Sequence, residues 1–363
     1  MKVAIVIDSL VGGGAEKVML TLAGELLAQQ HEVVMLSLAN SIEYTLPSQL
    51  NVECLFDHKA KKVDRFWQLK KSVKRIENWF AQYQSKNGEF DLVLSNLDRS
   101  NNLLICSTIK HVFYVIHNSI TAELNRQKKL GPFAYQYLLK SKKRLSGQNL
   151  ICVSEGIESE IKQQKLIAPR SITTIFNPFN VQSIVKKASE SELGLPREPY
   201  IIHVGRLAKQ KRHDVLFSAF ANLNTSHKLV LLCNKVNKAA KLGRQHGIED
   251  RLILPGFQQN PYAWIKGADA LVLSSDYEGL PTVLIEALIL GTPVVSTDCT
   301  HGPKEILTGS LAKYLVPTNN PEALTQAIES VLNDKPEVID AEILSKISAT
   351  QVAESYLALA QNR

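Results

Sequence analysis

The sequence predicts an α/β chain of two Rossmann-like, doubly wound domains in tandem, facing a central cleft. Three observations carry this. Short β-branched apolar runs alternate with helix-period segments in both halves, the pattern of a parallel sheet with helices on its faces. The alternation breaks once and restarts. The 363 residues exceed what one hydrophobic core usually organises.

In the first half the strand runs are KVAIVI (2–7), EVVMLSL (32–38), NVECLF (51–56), DLVLSN (91–96), HVFYVIH (111–117) and NLICVS (149–154). Helix-period segments fall at 15–29, about 63–84, 100–108, 132–145 and 155–165. The stretch 176–199 holds three prolines, several serines and mixed charge, so it reads as a connection. Strand runs resume at 200–206, 228–234, 251–256, 270–275, 293–298 and 312–317. Helices are expected between them at about 211–223, 236–246, 260–267, 281–290, 302–308 and 320–333, with one or two amphipathic helices over 338–361. The expected domains are 1–178 and 200–340, joined by a linker at 179–199, with 341–363 packing back on the first domain. Ligands of such sheets bind at the carboxyl ends of the strands.

Composition sets outer limits. Hydrophobic residues are 45% and charged residues 21%, an ordinary globular balance. No apolar run reaches the roughly 18 residues that span a bilayer. Asp8 and three glycines interrupt the opening apolar stretch, which reads as strand and turn rather than a signal peptide, so a cytoplasmic location is expected. Cys54, Cys106, Cys152, Cys233 and Cys299 show no metal or redox spacing and read as small hydrophobes. Residues 1–180 hold 23 Lys and Arg against 16 Asp and Glu, while 181–363 hold 19 of each, so the whole +7 excess lies in the first half. The first half is therefore expected to face something anionic. Its basic stretches show no nucleic-acid module, and no nucleic-acid partner is expected.

The chemistry concentrates in SSDYEGLPTVLIEALILGTPVVSTD (274–298). A strand ends before Glu278, and a helix begins near Pro281, where a missing N–H costs nothing. Gly279 permits the turn. The N–H groups of Leu280, Thr282 and Val283 sit at a helix amino terminus, a ready anion site. A carboxylate beside a phosphate would repel it, so Glu278 and Glu286 should accept hydrogen bonds from sugar hydroxyls. In HVGRLAKQKRHD (203–214), Arg206 and Lys211 follow a strand end. Two cations there can neutralise a departing diphosphate.

Together GRLAKQK (205–211), the stretch 254–298 and HGPKEIL (301–307) resemble the retaining glycosyltransferases of family 4, which have the GT-B fold. The likeness covers the second domain well and the first loosely, through GGGAEK and VIHN. It implies transfer of a sugar from a nucleotide diphosphate, UDP-linked, to a glycan or glycolipid acceptor such as lipopolysaccharide or capsule. It further implies that Glu278 contacts the donor sugar, Glu286 the ribose, and Arg206 and Lys211 the diphosphate. Leu280, Pro281 and Thr282 match the turn whose backbone approaches the phosphates. Phe257 and Gln258 match a loop beside the base, and His117 a strand-end histidine near the sugar. Gly12, Gly13 and Gly14 follow the first strand and let backbone come close to the donor; Glu16 behind them reads as a favourable charge at a helix start. The chain departs from the family at CNKVNK (233–238), where many relatives carry a Gly-rich loop. No Asp-x-Asp pair is present, so no metal or cofactor is expected to be required. His31 and His203 read as structural.

The segment 63–84 carries Phe66, Leu69, Val73, Ile76 and Phe80 on one face and Lys62, Arg65, Lys70, Lys71, Lys74 and Arg75 around it. Its alternative to packing on the sheet is rest against anionic lipid headgroups, on the cytoplasmic face of the inner membrane. A nucleotide-sugar epimerase on the same fold would have no need of that basic bias. An NAD-dependent dehydrogenase is disfavoured by the incomplete glycine fingerprint, in which Lys17 stands at the third glycine position.

Overall fold

The structure, a computed structural model, describes residues 1–11, 13–57, 60, 62–190, 194–338 and 342–361. It divides into two units: Met1–Phe179 with Ile347–Arg363, and Asn180–Lys346.

The first unit is built on strands β1 (Lys2–Ile7), β2 (Glu32–Ala39), β3 (Asn51–Phe56), β4 (Leu92–Asn96), β5 (Val112–Ile116), β6 (Asn149–Cys152) and β7 (Ser171–Thr174). They pair in the order β3-β2-β1-β4-β5-β6-β7, and every pairing is parallel. Parallel strands covered on both faces must be apolar throughout. In β1, Val3 to Ile7 are accordingly all buried.

The second unit uses β8 (Tyr200–Val204), β9 (Lys228–Leu232), β10 (Leu252–Ile253), β11 (Ala270–Leu273), β12 (Val294–Thr297) and β13 (Leu315–Val316). Their order, β10-β9-β8-β11-β12-β13, is again all parallel. In both sheets the order runs one way from the first strand and then reverses. The reversal lies between β1 and β4 in one unit and between β8 and β11 in the other. These switch points open a crevice at the carboxyl ends of the strands.

The structure adds elements that periodicity did not reveal. The helix Ile120–Lys128 starts where Ser119 accepts a hydrogen bond from Ala122 N, a side-chain cap. The stretch 179–199 is more than a connection: it carries the helix Val181–Ala188, capped by Asn180, which accepts from Ser183 N at 2.9 Å. The edge strand β7 gives little sequence signal because SITT is short and half-exposed. The region 338–361 contains a 3-10 turn, Glu342–Ser345, and the helix Ala349–Gln361, while 339–341 lie outside the described residues. That helix packs on Gly14–Ala28, with Thr350 Oγ1 donating to Glu25 Oε1 at 2.8 Å. Phe179 N donates to Ile347 O at 2.8 Å, which ties the return of the chain to the first unit.

The long helix Phe66–Asn87 buries Val73, Ile76 and Phe80. Burial on the sheet thus takes most of the face that the sequence offered for lipid contact. Phe66 at its start is exposed instead.

Candidate active site

At the switch point of the second unit, two loops are strapped together. One follows β8 and carries Arg206 and the 3-10 turn Lys209–Lys211; the other follows β11 and carries Glu278. Lys211 Nζ lies 2.7 Å from Glu278 Oε1, with both side chains largely withdrawn from water. The straps are mainly backbone-directed. Ser274 Oγ donates to Lys211 O (2.7 Å), Gln210 Nε2 to Tyr277 O (2.6 Å), and Asp276 N to Gln210 O (2.8 Å). Gly205 lets the loop close: a Cβ there would stand 3.3 Å from His203 Nε2 and 3.5 Å from Lys211 Cε.

Arg212 holds the same two loops from the outside. Its backbone is left-handed (φ 47°, ψ 51°), an unusual place for a side chain other than glycine. Its guanidinium meets Asp214 at 2.9 Å, Asp276 at 2.9 Å and Asn319 at 2.6 Å. The bond from Arg212 holds Asp214 below the usual carboxylate range. Beneath Lys211, the buried rings of His203 and His213 meet edge to face with centroids 4.8 Å apart. His203 Nδ1 donates to Val272 O at 2.8 Å. Burial, then the neighbouring His213 and Lys211, pushes His203 well below its ordinary pKa; burial lowers His213 to about 4. Both stay neutral under the ammonium, as a pair of structural imidazoles would.

Glu278 N donates to Thr300 O at 3.1 Å. Gly279, Leu280 and Pro281 are buried and lead into the helix Thr282–Ile289, whose first N–H groups have no intrahelical acceptor. Gly302 makes that turn possible. Its φ is +80°, and a Cβ on it would fall 2.6 Å from Gly279 O and 2.5 Å from Pro281 Cδ. Glu286, one turn into the helix, is buried. Arg206 is exposed and makes no ion pair among the described residues. Its loop is fixed at Leu207 N, which donates to Asn234 Oδ1 at 3.2 Å; CNKVNK thus braces the cationic loop. Phe257 and Gln258 follow β10, at the far edge of the sheet. Phe257 is exposed, and Gln258 turns its amide back to Pro255 O at 3.0 Å.

The first unit places His117, Gly13 and Gly14 at the carboxyl ends of β5 and β1. Gly13 is extended (φ −131°) and precedes the helix Gly14–Ala28; a Cβ on it would collide with the Glu16 carboxylate. Tyr44 Oη donates to Gly13 O at 2.9 Å. Gly12 lies outside the described residues. Asn96, which ends β4, donates from its amide to Val6 O at 3.3 Å, so its oxygen faces His117 Nε2 at 2.9 Å. His117 Nε2–H is the donor of that bond, which leaves Nδ1 as the ring's acceptor. Burial lowers the His117 pKa to about 4 and keeps the ring neutral.

Sequence reasoning missed a second buried polar group at these strand ends. Asp8 closes β1 and accepts from Ser100 N and Ser100 Oγ, both at 2.8 Å. Burial raises its pKa to about 6, against the lowering effect of those bonds and of Arg99. Close by, Lys142 is buried between Asp98 (2.6 Å) and Glu123 (2.7 Å). Burial alone would lower its pKa, but the two carboxylates carry it above the ordinary lysine value. The signal was present: polar residues closing the apolar runs IVID and LVLSN.

The family model described as Glycosyltransferase Family 4 matches residues 12–183, and that described as Glycosyl transferases group 1 matches residues 185–348. The chain belongs to glycosyltransferase family 4. This glycosyltransferase is 27% identical over 339 residues to the Campylobacter jejuni N-acetylgalactosamine-N,N'-diacetylbacillosaminyl-diphospho-undecaprenol 4-alpha-N-acetylgalactosaminyltransferase, covering 92% of this chain and 90% of the relative. It is 34% identical over 164 residues to the lipopolysaccharide 1,6-galactosyltransferase of Escherichia coli K12, covering 42% of this chain and 44% of that one. Among solved structures, Anabaena HepE in complex with UDP and glucose superposes with a TM-score of 0.73 at 16% identity, over the whole of both chains. That likeness establishes the GT-B fold of the glycosyltransferase.

Proposed function

We propose that the enzyme moves a sugar, with retention, from a UDP-sugar to a lipid-linked or surface glycan. The observation that carries this reading is the Lys211–Glu278 pair at the switch point, set before a helix amino terminus with Glu286 one turn inside. A cation there opposes charge developing on a leaving diphosphate, and charge stabilisation of that kind acts on rate. The helix terminus receives phosphate oxygens, and the acids accept hydroxyl donors. The relatives' names support the acceptor class: one acts on an undecaprenol diphosphate glycan and one on lipopolysaccharide. UDP as carrier is supported by the UDP and glucose held by HepE. Arg206 and Lys211 supply cationic charge, so we assign no required metal. His117, as a neutral acceptor, is assigned to a sugar hydroxyl. Acceptor binding is assigned to the first unit, whose basic excess is read as contact with an anionic membrane surface.

The deciding experiment offers the purified enzyme a panel of labelled nucleotide sugars and follows slow hydrolysis and transfer, with the product anomer read by NMR. Retained configuration and a preference for one UDP-sugar are expected. Inversion, or no turnover of any UDP-sugar, overturns the reading.

A further inference from the structure

The charged, apolar features left unused by the site gather at one corner of the first unit. Phe66 is 83% exposed, Trp67 58%, Leu130 67% and Phe133 91%. Large apolar side chains standing in water together mark a contact surface. Two elements supply them: the start of the helix Phe66–Asn87, and the turn that opens the helix Pro132–Lys143. The structure joins the two. Tyr137 Oη donates to Asp64 Oδ2 at 2.6 Å, and the Arg65 guanidinium lies over the Tyr137 ring at 5.0 Å. The Phe66 and Trp67 rings meet edge to face, centroids 4.8 Å apart. These two stretches of sequence carry almost no acid to match their lysines: Asp64 is the only one between residues 58 and 76 and accepts from Tyr137 and Asn102, and no Asp or Glu occurs between Leu124 and Arg144.

We propose that Phe66, Trp67, Leu130 and Phe133 insert into the acyl boundary of an anionic bilayer while the exposed Lys62, Lys70, Lys128 and Lys129 beside them in sequence meet its phosphate headgroups. The proposal rests on the membrane reading above and names the residues that perform it. Aromatic tips with a basic surround match the interfacial zone of a membrane, where the ring is buried and the cations stay wet. The same helix continues from the tips to the strand ends. Phe133 and Lys142 are nine residues apart, about 14 Å along the axis. Lys142 is bonded to Asp98, the first residue after β4 and Leu97. The corner is thus one helix length from the carboxyl edge of the sheet, a short reach for a sugar carried on a lipid.

The test uses the full chain with vesicles of phosphatidylcholine, with and without phosphatidylglycerol, some carrying acyl chains brominated near the headgroup. Flotation with the anionic vesicles is expected, and brominated chains should quench Trp67; the Trp67→Phe variant should lose that quenching, since Trp79 is half-buried and Trp264 buried. Phe133→Ser and Leu130→Ser should each weaken partitioning about tenfold, from the loss of one buried apolar side chain, with the melting temperature and UDP-sugar hydrolysis in solution unchanged. Salt-sensitive flotation without Trp67 quenching, or with Phe133→Ser binding like the parent, overturns insertion and leaves the basic-surface reading standing. No flotation with either vesicle overturns both. A dimer in solution that Phe133→Ser dissolves overturns the proposal in favour of a second copy of the chain.

Discussion

Lys211 Nζ and Glu278 Oε1 are 2.7 Å apart across the switch point of the second sheet, and each is the other's counter-charge in a site largely closed to water. On the proposed function, a diphosphate and a sugar arriving there would offer each group a new partner: phosphate oxygens for the ammonium, a hydroxyl for the carboxylate. The pair therefore holds both side chains in place beforehand, which lowers the reorganisation required in the transition state.

Lys211→Ala is expected to reduce kcat by about 10²–10³, the usual effect of removing one group that stabilises developing charge, while UDP affinity falls much less. Glu278→Ala should lower transfer and leave UDP binding largely intact, and Glu286→Ala should weaken UDP binding. Steady-state kinetics and UDP titration separate the three.

Removing one member of the pair strands the other, so each single change is also expected to destabilise. In a cycle of Lys211→Ala, Glu278→Ala and the double variant, the coupling should be about 1–3 kcal/mol. Thermal or urea unfolding of the four proteins reads it, and additive losses would show that the pair contributes nothing.

Arg212 should separate strain from clamping. Arg212→Gly removes the left-handed strain and the clamp together; Arg212→Ala keeps the strain and loses the clamp. The glycine variant is expected to be more stable than the alanine variant by about 1 kcal/mol. Both should lose on the order of tenfold in kcat, with the KM for donor little changed, because Lys211 is then less well positioned.

Gly302→Ala places a Cβ against Gly279 O and Pro281 Cδ at a left-handed φ. A loss of stability of about 1–2 kcal/mol is expected from the backbone alone, and UDP should bind more weakly as the 279–282 turn is displaced.

The pH response of Asp8 follows from its position. Its folded pKa of about 6 stands above the unfolded value of 3.8, so folding favours the protonated carboxyl. That contribution is full below pH 4, is lost as pH rises to 6, and spans on the order of 3 kcal/mol. Asp8→Asn should flatten the stability profile in this window relative to the parent. His117 has the opposite sign: its lowered pKa contributes stability that is full above pH 6.5 and is lost as pH falls toward 4. Comparing melting temperatures of parent, Asp8→Asn and His117→Gln across pH 4–7 distinguishes the two.

Much of the second unit could be read directly from the chain. Glu278, the turn at 279–282 and Glu286 lie in one contiguous stretch, and their placement depends only on a strand ending and a helix beginning. Arg206 and Lys211 could be paired with them because both loops follow strands of one alternating series. What stayed hidden depends on contacts distant in sequence. Asp8 and Ser100 are 92 positions apart and meet only because β1 lies beside β4. The closeness of Gly302 to Gly279 and the left-handed Arg212 are properties of the folded backbone. The helices Ile120–Lys128 and Val181–Ala188 are hidden in the sequence because their caps, Ser119 and Asn180, sit in stretches that otherwise read as turns.

The helix Ala349–Gln361 belongs to the first unit but is made by the ribosome after the whole of the second. Until it is made, the flank of Gly14–Ala28 that it covers is bare, although every strand of both sheets has already been made. The second unit is free to finish before the first is whole, and the first is completed only when the chain comes back to it.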